Sequence, residues 1–121
     1  MKNKLIGPDA HGIVDYTYTA LQVLGPRLFN LKGPARPLCY GFAGSQLLLN
    51  ILTDYRLGVK RLVPFRVHGD LESPVIPALL LLPWATGALE QRKARIFFFS
   101  LFGISLATYL LTDYKANERE K

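Results

Sequence analysis

Two histidines are the most reactive feature of this chain. Each is followed by glycine and, four residues on, by a carboxylate: His11 with Asp15 in AHGIVDY, and His68 with Glu72 in VHGDLES. A separation of four places each imidazole and its acid on one face of a helix. A second recurrence, TDYR at 53–56 and TDYK at 112–115, adds Asp54, Tyr55, Asp113 and Tyr114. Two imidazoles with four carboxylates (His11, Asp15, Asp54, His68, Glu72 and Asp113) are the ligand inventory of a divalent-metal centre in a helical bundle. The known carboxylate-bridged centres use Glu-x-x-His, whereas this chain has His-x-x-x-Asp and His-x-x-x-Glu. The same groups could pass protons or ions, or could lock helix ends together by hydrogen bonds. Nucleophilic catalysis has little support, because Ser45, Ser73, Ser100 and Ser105 have no neighbouring histidine and the single thiol, Cys39, is far from both histidines in sequence.

The recurrence extends beyond the reactive residues. An offset of 57 positions relates His11 to His68, Gly12 to Gly69, Leu5 to Leu62 and Pro26 to Pro83, and it grows to 59 between the two TDY stretches. This pattern predicts one unit written twice, repeat 1 over about 5–56 and repeat 2 over about 62–115, followed by a charged tail at 116–121. Halves of this size are too small to bury a core alone, so they must pack on each other as a single domain.

The elements that position these residues read as helices. No Asp, Glu, Lys or Arg occurs in Tyr16–Pro26, Leu38–Thr53, Ser73–Leu89 or Ile96–Thr112. These runs are Leu-rich, lack period-2 alternation and exceed a typical strand length. Four helices are expected: Asp9 to Leu24, ended by Gly25-Pro26; Pro37 to Tyr55; one starting near His68 and kinked by Pro74, Pro77 or Pro83; and Arg92 to Lys115. A soluble bundle would need a polar face on each helix, and IFFFSLFGISLATYLL and PVIPALLLLPWATGAL have none. The expected fold is therefore all-α, four transmembrane helices in a four-helix bundle, with the two repeats related by a pseudo-two-fold axis along the membrane normal. Uncharged windows of about 16 or 17 residues are short spans that flanking Trp84, Tyr and polar residues would complete.

Charge placement supports the same picture. The formal net charge is +6, but the basic residues sit in short segments between apolar runs and form no aromatic-interleaved stripe, which argues against nucleic acid. Lys2, Lys4, Arg56, Lys60, Arg61, Arg66, Lys115, Arg119 and Lys121 share one side, against Arg27, Lys32, Arg36, Arg92, Lys93 and Arg95 on the other. That excess leans the termini towards the cytoplasm. The expected partner is the lipid bilayer, and so small a protein is compatible with a homo-oligomer.

The topology then brings the starts of helices one and three and the ends of helices two and four to one membrane face. His11, Asp15, Asp54, Tyr55, His68, Glu72, Asp113 and Tyr114 would gather there, with Tyr18 and Gln22, Gln46 and Asn50, and Ser105, Thr108 or Tyr109, and Thr112 extending a polar lining inward. The connector TDYRLGVKRLVPFRVHGDLE, together with HGIVDY and LLPWATG, resembles the SPW-repeat family of small bacterial membrane proteins. Leu82 stands where that family has Ser before Pro83 and Trp84, and Arg27 where its first repeat usually has Trp. The resemblance implies a tandem pair of two-helix units in a bacterial inner membrane and no particular activity. The expected role is a structural or binding module of the membrane. The alternative is a divalent-metal-dependent enzyme or a proton- or ion-handling protein.

Overall fold

A computed structural model describes residues 5–114. Lys2, Lys4, Lys115, Arg119, Lys121 and the charged tail lie outside the described residues. The chain is mostly helical, in the order α1 (Pro8–Leu28), α2 (Ala35–Leu52), β1 (Thr53–Asp54), β2 (Val63–Pro64), α3 (Phe65–Glu72), α4 (Val75–Ala85), a 3-10 turn (Ala88–Glu90) and α5 (Arg92–Leu111). Helix α1 packs mainly on α2, and α4 on α5.

The helix limits differ from the sequence expectation in ways local chemistry explains. Helix α1 starts with Pro8 in its first turn, where the missing N–H costs nothing. It continues past Gly25-Pro26 to Leu28, because a proline this near the helix end removes only the bond to the Gln22 carbonyl. Gly25 is needed there for packing, since a Cβ would lie 2.5 Å from Phe97 Cζ. Helix α2 stops at Leu52 and not at Tyr55. Its last carbonyls are taken by the following loop, with Val59 and Lys60 N–H donating to Ile51 O and Leu62 N–H to Leu52 O, and the freed 53–54 stretch pairs in parallel with 63–64. A matching isolated bridge joins Ile6 to Thr112, where α5 has ended. The expected kink in the third segment is a full break at Ser73-Pro74, which separates α3 from α4.

The expectation of four membrane-crossing helices is met in part: α5 is long and apolar enough to cross a membrane, and it alone among the described helices. Helix α1 carries Asp9, Asp15 and Arg27, α2 includes Arg36, Gln46 and Asn50, and α4 has only 11 residues. The apolar core is formed by Leu31, Ala35, Cys39, Leu79, Ala88, Ala94, Phe97, Phe98 and Leu101, with Tyr18 at its inner edge. It fills the bundle between the α1–α2 and α4–α5 turns. The opposite part is held by polar groups.

Candidate metal centre

Four side chains converge beneath the start of α1. His11 and Asp15 project from one face of α1, His68 and Glu72 from one face of α3, and one ligand-type atom from each lies within 4.8 Å of all the others. Both imidazoles are fully buried. Asp15 Oδ2 lies 2.9 Å from His11 Nε2 and 3.0 Å from His68 Nε2. Glu72 Oε2 lies 3.2 Å and 3.6 Å from the same two nitrogens.

The far side of each imidazole is fixed by a threonine. His11 Nδ1 is 2.8 Å from Thr112 Oγ1, and His68 Nδ1 is 2.7 Å from Thr53 Oγ1. Each threonine hydroxyl donates its one hydrogen to the carbonyl four residues back, Thr108 O and Leu49 O respectively. The hydroxyl oxygens therefore accept, and both histidines donate from Nδ1–H. Both Nε2 atoms are thereby turned towards the two carboxylates. His68 Nε2 is placed to donate to Asp15. His11 Nε2, although close to both acids, makes no hydrogen bond among the described residues.

Glycine and tyrosine complete the seat. A Cβ on Gly12 would lie 2.4 Å from the Tyr55 ring, and one on Gly69 would lie 2.8 Å from the Tyr114 ring. The residue after each histidine is thus small because a tyrosine lies against it. Tyr55 stacks on Phe65, which also borders both histidines and Tyr114. Tyr114 donates to Glu72 Oε2 at 3.1 Å.

Helix α3 and Tyr114 lie outside the long uncharged runs, and charge sets their proton affinities. Burial would raise the Glu72 carboxyl, but the His11 and His68 imidazoles beside it outweigh that and hold the group at about 2. Burial acts against a charged His68, yet Asp15 and Glu72 raise it above its ordinary 6.5. Burial, followed by the neighbouring Glu72 charge, pushes the Tyr114 phenol well up.

Asp54 and Asp113 stand outside the group of four. The reason is the change from helix to extended chain at Thr53 and Thr112, since side chains on extended backbone alternate between faces. Thr53 and Tyr55 are buried and face inward, while Asp54 between them is half-buried. The Asp113 backbone N–H donates to Ile6 O. Of the two inward-facing threonines, the sequence places Thr112 in the polar lining but gives Thr53 no such part, although each opens a recurrent TDY.

In comparisons with known proteins, no family model matches the chain, and no curated protein or solved structure is significantly similar to it.

Proposed function

We propose that this protein is a small membrane-embedded binding module that holds one divalent transition-metal ion, with Zn²⁺ as the best fit, between His11, Asp15, His68 and Glu72. The supporting observation is the pair of inward-turned Nε2 atoms. His11 Nε2 is buried 2.9 Å from Asp15 and 3.2 Å from Glu72 but is poorly aligned to donate to either, and its opposite nitrogen already donates to Thr112, so a cation at the centre could take the place of the proton between these groups. Zn–ligand bonds of about 2.0–2.1 Å in a tetrahedron put ligand atoms roughly 3.3–3.4 Å apart. The four nitrogen–oxygen separations, 2.9, 3.0, 3.2 and 3.6 Å, bracket that value. Two neutral imidazoles, two carboxylates and a divalent ion sum to zero charge, which suits a buried site. The Thr–His pairs are the outer hydrogen bonds that fix tautomer and ring orientation in metal sites. Four protein ligands fill a tetrahedron, so the ion's first role is to join α1 to α3.

The membrane reading extends beyond α5. Only 28% of the α5 apolar window is buried within the chain. Ile13, Val23 and Leu24 of α1, Leu47 and Leu48 of α2, and Leu81, Leu82 and Trp84 of α4 are exposed as well. Apolar surface on every long element is what lipid contact would cover. A duplicated two-helix unit is supported by corresponding contacts: Thr112–His11 with Thr53–His68, Tyr55–Gly12 with Tyr114–Gly69, and Ile6–Thr112 with Val63–Thr53. The His–Thr pairs and the two strand bridges cross between the halves, whereas each Tyr–Gly contact lies within one half. This is the arrangement expected of the pseudo-two-fold axis, and it accords with the SPW-repeat resemblance.

The test is elemental analysis of the untagged, detergent-purified protein after incubation with Zn²⁺, beside the His11→Ala, His68→Ala double variant. The expected result is one ion per chain in the parent and none in the variant. No bound metal in the parent, after Zn²⁺, Fe²⁺ and Mn²⁺ in turn, would leave the cluster as an ion-pair lock between helices.

A further inference from the structure

Helix α1 packs mainly on α2, and α4 on α5. The seam between α1 and α5 is therefore left open outward, and a groove of about 410 Å³ runs along it. Its α5 side is Lys93, Ile96, Phe97, Ser100 and Leu101, a set spaced as one face of a helix. Phe97 and Leu101 are buried and form the floor. Phe97 is held there with its ring against Gly25, where a Cβ would lie 2.5 Å away, and tilted on Phe29 at 5.7 Å. Leu28, Phe29 and Ile96 along the sides remain exposed. A preformed trough this apolar calls for something that covers it.

Length and charge indicate the occupant. From Lys93 to Leu101 the groove extends about 12 Å along α5, close to half of a hydrocarbon layer about 30 Å thick. Lys93 lies in the first turn of α5, and exposed Trp84 lies in the last turn of α4 at the same end. Both residue types belong at the headgroup level of a bilayer. The groove then runs from that level to mid-layer, which is the course of an acyl chain in one leaflet. Residues 27–36 and 88–95, which form this end, include six basic residues and one acid, Glu90. Arg36 donates to Leu31 O, and Arg95 to Leu89 O and Glu90 O. The Lys93 ammonium has no hydrogen bond or ion pair among the described residues, and it is the one charged group in the groove wall.

We infer that this groove holds one phospholipid with a net negative headgroup, its phosphate paired with Lys93 and one acyl chain laid over Phe97 and Leu101. The inference rests on the membrane reading of α5 and is independent of the metal. A zwitterionic phospholipid offers the same chain and phosphate, but its own cationic group competes with Lys93 for that phosphate and meets an end of the bundle where cations are already in excess.

The experiment is native mass spectrometry of the full, untagged chain released from nanodiscs of equimolar phosphatidylglycerol and phosphatidylcholine with identical acyl chains. The expected result is one retained phospholipid per chain, phosphatidylglycerol over phosphatidylcholine by roughly fivefold, the weight of one Lys at an anionic headgroup. Lys93→Gln brings the two lipids to parity. Ser100→Phe, which fills the groove without changing charge, loses the retained lipid. Lys32→Gln removes a charge at the same end but outside the groove wall, and leaves the preference unchanged. No preference in the parent, or equal effects of Lys32→Gln and Lys93→Gln, overturns the site. A dimer that keeps no lipid assigns the groove to a second copy of the chain and also overturns it. A chain that enters nanodiscs yet keeps no lipid overturns this inference alone, whereas a chain that never enters them overturns the membrane reading and this inference with it.

Discussion

The two ends of this bundle are held together by different means. Around the α1–α2 and α4–α5 turns, Leu31, Ala35, Cys39, Ala88, Ala94 and Phe98 are fully buried. Among the described residues the side-chain hydrogen bonds between the two turns are those of Gln91, which accepts from Lys32 N–H and donates to Lys32 O. Around the start of α1, buried positions are taken by His11, Asp15, Thr53, His68 and Thr112. The apolar end tolerates any occupants of suitable volume and shape. The polar end tolerates only residues that satisfy one another, because an unpaired buried polar group is penalised. A chain needing stability alone could have closed both ends in the first way. The second way carries a stability risk that a bound ion would offset.

If the two ends are independent, each can be damaged without harm to the other. The largest effect on folding is expected from Phe98→Ala, which empties a fully buried position and should cost about 3–5 kcal/mol. Unfolding in denaturing detergent would measure it, and the folded fraction should still take up one Zn²⁺ per chain. Loss of the ion from folded Phe98→Ala protein would show that the ends are coupled. A smaller effect is expected at the polar end from Thr53→Val or Thr112→Val. Either variant keeps the shape of the side chain and removes the acceptor for a histidine Nδ1–H, which should weaken Zn²⁺ binding roughly 10–100-fold without changing stoichiometry. Competition with a chelator of known affinity would read it, and unchanged affinity in both variants would deny the threonines their orienting role.

The smallest effect, and the most diagnostic in sign, concerns pH. His68 is raised above 6.5 in the folded, metal-free protein, so its stabilising contribution is complete below 6.5 and lost as pH rises through the folded value. Glu72 is held at about 2 instead of 4.5, so its contribution is present above 4.5 and is lost as pH falls through about 2. Metal-free protein should therefore lose stability as pH climbs above 6.5. Zn²⁺ must displace the imidazole protons, so the stabilisation it adds should grow over the same range. Melting temperatures with chelator should fall as pH climbs above 6.5 while those with Zn²⁺ stay level, so the two curves diverge. Parallel slopes would mean that the ion does not compete with the protons of this cluster.

Much of the site was legible from spacing. The i,i+4 recurrence selected His11, Asp15, His68 and Glu72, because helical periodicity fixes which side chains share a face. The separate TDY recurrence added Asp54 and Asp113, which the structure places outside the group of four. That difference turns on where α2 and α5 end. Had α2 run on to Tyr55, Asp54 would have kept its helical direction; because it ends at Leu52, the period becomes two and Thr53 points inward instead. The end is set by loop N–H groups capturing the Ile51 and Leu52 carbonyls, and no helix-stop residue announces it. The membrane reading shows the same division: apolar runs were visible, but among the described helices only α5 has the length and composition of a span, and the helix expected from His68 onward is broken at Ser73-Pro74, which leaves α4 with 11 residues.

By itself the sequence determined helices, their approximate extents, the pairing of each histidine with an acid and the glycine beside it, since all these follow from interactions within a few residues. Only the tertiary structure decided that the two pairs face one point, that threonines from the opposite half hold the imidazoles, and that the tyrosine at the far end of each half lies against that half's glycine. Those are distances across 15 to 101 positions of chain, set by how helices pack. Local periodicity gives a side chain's direction and carries no information about what meets it there.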